Sequence, residues 1–400
     1  MNYDSQRWFF LFAGMVINIC AGFGYAWSVF QKPLIDLLNW PVADVSMAFT
    51  FMMGMSALPQ ALAGKAQEYI APKQVILFGG GLLSVGVIGM GYIQSLSQLY
   101  IGSTVIGLGI GVVYSGTVSN IVKFFPDKRG MASGVLAAGM GAGPIVLAPL
   151  ASFIILNYGV MATLKTLGIV FLVVTCGLSQ LIKTAPSNYL PVGYMIATEG
   201  HQVNDSVNKN WQAMLQDLMF YILAGIFIIG GTSGMMIMGH ASPIAQDTLK
   251  ISPQAASVIV GFLALANATG RVFWGWLSDK TGRYPILLAM YVMGGLSMLV
   301  LTKVNTYYTL VPVMMAVALC YGGFMGMMAS LTADTFGSKY LGVNFGIMFL
   351  TIGIAAFIGP RLAAIVRETN NGDYSQAFLI AAALNLVGIV FALLAMYRKR

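Results

Sequence analysis

Residues 261–279 read Gly261-Phe-Leu-Ala-Leu-Ala-Asn-Ala-Thr-Gly-Arg271-Val-Phe-Trp-Gly-Trp-Leu-Ser-Asp279. The run is apolar, rich in Gly and Ala, and holds a single arginine. Asp279 and the charges after it mark a membrane edge. At ~1.5 Å rise per residue, Arg271 lies about 12 Å in from that edge, near the middle of a ~30 Å hydrocarbon core. A guanidinium at that depth costs several kcal/mol unless it is paired or faces a wet cavity, which makes it a candidate functional group. The competing reading is an arginine neutralised by a buried carboxylate of the same bundle.

Composition agrees with a membrane setting. Of 400 residues, 58% are hydrophobic and 8% are charged, where a soluble domain carries roughly 25% charged residues. The net charge of +8 then reflects topology-setting loop charges and is no sign of a nucleic-acid partner. Cys20, Cys176 and Cys320 fall inside apolar runs without metal-like spacing, so they read as packing residues. Neither a metal nor another cofactor is expected. Arg7 precedes an apolar run to Phe30 with no small-residue cleavage site after it, which is read as a first membrane helix and not a removed signal peptide.

Apolar runs give twelve spans: 8–30, 43–63, 74–94, 98–122, 131–156 and 160–182, then 216–240, 253–277, 285–302, 308–332, 342–366 and 374–396. The polar stretch between them divides the chain into an N-terminal six-helix bundle (1–183), a linker (184–215) and a C-terminal six-helix bundle (216–400). With the N-terminus in the cytoplasm, fourteen Lys and Arg fall on that side and six on the other. The expected location is therefore the inner (cytoplasmic) membrane, multi-pass, with both termini cytoplasmic.

The halves repeat. Gly64-Lys-Ala-Gln-Glu68 and Gly275-Trp-Leu-Ser-Asp279 follow spans two and eight. Phe124-Phe-Pro-Asp-Lys128 and Thr335-Phe-Gly-Ser-Lys339 precede spans five and eleven. Gly143-Pro144 and Gly359-Pro360 are expected to break those two helices. Two parallel, repeated bundles suit a carrier that rocks about a midplane site. Glycines such as Gly107, Gly109, Gly111, Gly139 and Gly141 are read as close helix packing, and sliding during gating would use the same residues.

All thirteen Asp and Glu lie in loops or within a turn or two of a span end. Arg271 thus has no evident carboxylate at its own depth, and a mobile organic anion suits it. Pairing with Asp334 or Asp44 through helix tilt stays open. Tyr25, Trp27, Tyr114, Asn120, Tyr321 and Phe349 are the aromatic and amide candidates to line such a site. The spans offer no carboxylate pair, Ser/His arrangement or metal ligands, so an enzyme is not expected. A transport-dead sensor or receptor would call for a long cytoplasmic domain.

Gly275-Trp-Leu-Ser-Asp-Lys-Thr-Gly-Arg283 resembles the signature loop of the major facilitator superfamily, with a degenerate copy after span two. Tyr25-Ala-Trp27, Phe125-Pro-Asp-Lys-Arg-Gly130, Arg271 with Phe273-Trp-Gly275, and Asn344-Phe-Gly346 are similar to the oxalate/formate antiporter family of bacterial carboxylate carriers, relatives of the monocarboxylate transporters. The resemblance implies an all-α fold of twelve helices in two pseudo-twofold bundles, alternating access, and a monomer by default. It also implies a small carboxylate bound by Arg271 with Tyr25, Tyr114, Tyr321 and Phe349. Gly275, Asp279, Arg283, Asp127, Arg129, Pro144 and Pro360 are the candidates for gating.

Two departures bear on substrate. Where the oxalate antiporter has a helix-eleven lysine, this chain has Ile352; where proton-coupled monocarboxylate transporters have an aspartate one turn before the arginine, it has Asn267. One cation favours a monocarboxylate such as lactate, pyruvate or formate, and a buried charge that must return favours exchange. Oxalate/formate exchange, with Lys32 or Arg361 tilting inward, and proton symport through Asp44 or Asp334 are the alternatives.

Overall fold

A computed structural model describes residues 3–66, 69–125, 129–185, 208–337 and 340–399. Most of the linker, residues 186–207, lies outside the described residues, as does Asp127; the side chain of Arg129 is likewise not described. Every long element is helical. The first span runs as α1 (Tyr3–Ala21), α2 (Phe23–Ala26) and α3 (Ser28–Leu38). It is followed by α4 (Val42–Ala66), α5 (Pro72–Met90), α6 (Leu96–Ile121), α7 (Arg129–Tyr158) and α8 (Val160–Ser179). A short α9 (Trp211–Leu215) leads into the second bundle. There the helices are α10 (Leu218–Leu249), α11 (Pro253–Thr281), α12 (Arg283–Leu301), α13 (Tyr307–Phe336), α14 (Leu341–Thr369) and α15 (Ser375–Lys399). Twelve of the spans so formed are long and apolar enough to cross a membrane.

Local chemistry sets the ends. Ser252 accepts from the Ala255 amide and Pro253 opens α11 where its missing N–H does no harm. The α11–α12 turn passes through Gly282 at φ +93°, a conformation that favours glycine. The repeat is legible in the starts: α4 and α11, α5 and α12, and α6 and α13 begin at 42 and 253, 72 and 283, 96 and 307, each pair 211 residues apart.

Two related seams join the bundles, α4 with α14 and α7 with α11. On the first, Gly54 and Gly353 bring the backbones together, so that a Cβ built on Gly353 would stand 3.4 Å from the Gly54 Cα. On the second, Gly261 faces Ile145, and Gly141 faces Asn267 and Arg271. Nearer the termini, two turns from Gly141 on α7 and one turn from Arg271 on α11, Gly134 and Gly275 continue the same two faces and each looks into open space. The α7–α11 seam therefore parts toward the face that carries the chain ends.

Pro144 and Pro360 do not break their helices; α7 and α14 run through both. Membrane helices tolerate proline where neighbours satisfy the freed carbonyl. The interruptions fall in the first span, between α1, α2 and α3, and at His240 in α10 (φ −114°, ψ 15°).

Candidate functional site

Three glycines of α13 fix where α11 lies. A Cβ on Gly322 would sit 2.1 Å from the Asn267 carbonyl oxygen, and one on Gly326 would sit 2.5 Å from that of Arg271. Gly323 gives room in the same way to the Trp274 ring. At Gly322 and Gly326 the helices pack backbone to backbone, and the arginine's position is set by rigid elements.

Arg271 is half-buried. Its Nε donates to Asn267 Oδ1 at 3.1 Å, and its Nη1 donates to the Ala137 carbonyl of α7 at 3.2 Å. The cation thus bridges the two bundles. Both partners are neutral, and no carboxylate among the described residues forms an ion pair with it. Asp334 is taken by Arg283 at 3.1 Å, and Asp44 lies in the first turn of α4 at the other face. Among the described residues Asn267 Nδ2 is buried without a hydrogen-bond partner, one turn from the guanidinium.

The tyrosines gather beside it. Tyr25 and Tyr321 meet hydroxyl to hydroxyl across the bundles at 3.3 Å, and Tyr321 donates onward to Met235 Sδ at 3.5 Å. Arg271 interacts electrostatically with both Tyr114 and Tyr321, as does Tyr25. Phe349 packs against Phe345 with the rings tilted (5.8 Å between centroids), on the α14 face that continues to Gly353 and Ala356 and is turned to α4. Ile352 is buried against α10, where a Cβ on Gly231 would be 3.4 Å from it.

Two expected residues lie elsewhere. Trp27 stands two residues from Tyr25 and so on the other side of its helix. It stacks on Phe30 at 6.0 Å, in a ladder that continues through Phe23 to Phe171 of α8 inside the N-terminal bundle. Asn120 spends both amide atoms on main chain: Nδ2 donates to the Lys183 carbonyl at 2.8 Å, and Oδ1 accepts from the Ala185 amide at 3.0 Å. It ties down the end of the sixth span because it sits in the last turn of α6, too near the helix end to reach the centre.

The charges of the signature loop work within one bundle. Arg283 pairs with Asp279 at 2.5 Å and Asp334 at 3.1 Å, and donates to Ser278 Oγ at 2.6 Å. At the opposite face the charges cross between bundles. Lys32 of α3 and Arg367 of α14 converge on Asp247 of α10 at 2.5 and 2.7 Å. The Ala43 amide, a first-turn N–H of α4 without an intrahelical acceptor, donates to Glu368 at 2.8 Å. Sequence reading placed these as separate loop charges, since nothing in a one-dimensional pattern pairs residues 215 apart.

Prolines complete this seal. Pro360 has no N–H for the Ala356 carbonyl, which instead accepts from Thr50 Oγ1 of the other bundle at 2.8 Å. Pro243 likewise leaves the Gly239 carbonyl free, and Gln31 Nε2 takes it at 2.8 Å. His240 Nε2 donates to the Pro360 carbonyl at 2.9 Å, holding α10 against α14 beside the kink.

Residues 11–238 and 222–400 match the family model described as the Major Facilitator Superfamily. The chain is 29% identical to the oxalate:formate antiporter of Oxalobacter formigenes, over 97% of this chain and 91% of that protein. It is 24% identical to monocarboxylate transporter 12-B of Danio rerio, over 76% of this chain and 69% of that one. In fold it is similar to a bacterial homologue of the human lysosomal transporter Spinster, with a TM-score of 0.77 at 14% identity, covering 99% of this chain and 98% of the other.

Proposed function

The chain belongs to the Major Facilitator Superfamily, a transporter and not an enzyme, and from that premise we propose that it exchanges small monocarboxylate anions of the lactate, pyruvate and formate class across the cytoplasmic membrane. Its termini lie in the cytoplasm, so the parted α7–α11 seam opens inward. One observation carries the reading: among the described residues, a mid-membrane cation at the junction of the bundles has only neutral protein partners, Asn267 and Ala137. The arginine's net charge is therefore left for an anion to neutralise, and the resulting pair moves with the bundles.

The neighbours suit a carboxylate. Arg271 presents further N–H groups in a planar fork that matches it bidentately, and the Asn267 amide adds an unspent donor. Tyr25, Tyr114 and Tyr321 bring hydroxyls and apolar ring walls. Reorienting without an anion would carry a bare charge through the closed state, which disfavours one-way movement and supports exchange.

The similarity to an oxalate:formate antiporter supports a second substrate reading. A dicarboxylate would want a second cation, however. Lys32 is held by Asp247, Arg361 lies exposed against Met47 and Phe357, and Ile352 is apolar. These placements favour one carboxylate.

The test is uptake of labelled lactate, formate and oxalate into proteoliposomes, with and without internal substrate and an inward proton gradient. Monocarboxylate uptake that requires internal substrate and ignores the gradient is expected. Arg271→Ala should reduce it about a hundredfold, the loss of a charge-assisted interaction of roughly 3 kcal/mol. Full activity in Arg271→Ala overturns the site, and gradient-driven uptake into empty vesicles overturns exchange.

A further inference from the structure

The repeat bears on the half that carries no arginine. α4 and α11 start at Val42 and Pro253, so Gln60 and Arg271 each stand eighteen residues into their helix. The pseudo-twofold that exchanges the bundles exchanges these two positions. Their faces agree as well. On α4, Leu58 and Leu62 are exposed to lipid, Pro59 packs on Gly111 of α6, and Gly54 meets α14. At ~100° per residue, Gln60 then points away from the lipid side, toward the centre. Met53, two turns earlier on that same face, touches Gly24 of α2, the residue before Tyr25.

The amide is available there. Gln60 is half-buried, and its backbone carbonyl is held by Ser115 Oγ at 3.0 Å, which fixes the main chain. Among the described residues its side chain reaches only the Ser56 carbonyl, one turn back in its own helix, at 3.3 Å. No element outside α4 claims it. A primary amide both donates and accepts, so it serves a hydroxyl and an oxo group alike, and it brings no charge for a second carboxylate.

We propose that Gln60 is a specificity-determining residue that receives the 2-hydroxyl or 2-oxo group of the substrate while Arg271 holds the carboxylate. The proposal rests on the carboxylate reading of Arg271. It makes the two bundles grip opposite ends of one small molecule, with charge recognised by one and polarity by the other.

The experiment measures exchange kinetics in lactate-loaded proteoliposomes for lactate, pyruvate, propionate and oxalate. Wild type, Gln60→Met, Gln60→Arg and Arg271→Ala are compared. Gln60→Met keeps the length of the side chain and removes its hydrogen bonds. It should raise KM for lactate and pyruvate about tenfold, the order of a lost hydrogen bond to a matched polar group, and that for propionate less than about twofold. Equal shifts for lactate and propionate, or none, overturn the proposal. Should Gln60→Met not be recovered as a monodisperse protein, Gln60→Arg decides: oxalate uptake above wild type supports it, and no gain overturns it. Arg271→Ala separates the two claims. Retained uptake there defeats the carboxylate site itself, whereas lost uptake with an unchanged lactate-to-propionate ratio in Gln60→Met defeats only the role of Gln60. Wild type that carries none of the four acids counts against both.

Discussion

Two clusters of charge, at opposite ends of the membrane, use the same chemistry for different ends. Near the termini, Arg283 gathers Asp279, Asp334 and Ser278, all from the C-terminal bundle. At the far face, Asp247 gathers Arg367 from its own bundle and Lys32 from the other. The first cluster can persist through every conformation, because nothing in it moves relative to the rest. The second must break whenever the bundles part at that face. An ion pair's functional weight thus depends less on its distance than on whether its members belong to one rigid body.

Asp247→Ala should give the largest effect that this contrast predicts. It leaves Lys32 and Arg367 facing each other without their carboxylate, and removing one partner of a part-buried pair is strongly unfavourable. Exchange should fall at least about tenfold, equivalent to 1.4 kcal/mol. A cysteine replacing the buried Ala356, in a protein freed of its own cysteines, should be labelled faster by an impermeant maleimide added at the far face. Unchanged labelling would mean that the cluster does not hold that face shut.

A smaller effect is expected from Pro360→Ala. The new N–H can satisfy the Ala356 carbonyl within α14 and compete with Thr50 for it. Labelling of the same cysteine should rise roughly two- to fivefold, in line with a net hydrogen bond of about 1 kcal/mol. Thr50→Val should match it, and the double substitution should add little, since both remove one interaction. Full additivity would break this account.

Arg283→Ala should matter least for access. Asp279 and Asp334 are substantially exposed, at 64% and 42%, and such pairs contribute little. The melting temperature of the purified protein should drop by less than about 5 °C, with far-face labelling unchanged. Faster labelling would show that the signature-loop cluster is coupled to the far seal after all.

The sequence carried the fold because the fold's causes are local. Twenty-residue apolar runs, a cap such as Ser252-Pro253 and a 211-residue repeat need no knowledge of partners. It carried Arg271, Tyr25, Tyr114 and Tyr321 as candidates because a charge or hydroxyl in an apolar run stands out. Trp27 and Asn120 are suitable in residue type, but helix face and depth place them away from the Arg271 cluster. The prolines show a third limit. Pro144 and Pro360 read as helix breaks, yet α7 and α14 run through both, and the carbonyl that Pro360 frees, Ala356, accepts from Thr50 across the bundle interface. The Lys32–Asp247–Arg367 cluster and Gln60 depend on the closed shape and on the twofold, which appear only once the helices are packed.

The proline-freed carbonyls also bear on speed. An acceptor that a helix does not use can trade a hydroxyl or amide partner for water without loss of secondary structure. When the far face parts, water entering the vestibule can solvate Ala356 and Gly239 as Thr50 and Gln31 withdraw, so neither state strands a polar group. The seam then behaves as a wettable hinge line whose two states lie close in energy, the condition for rapid turnover between them.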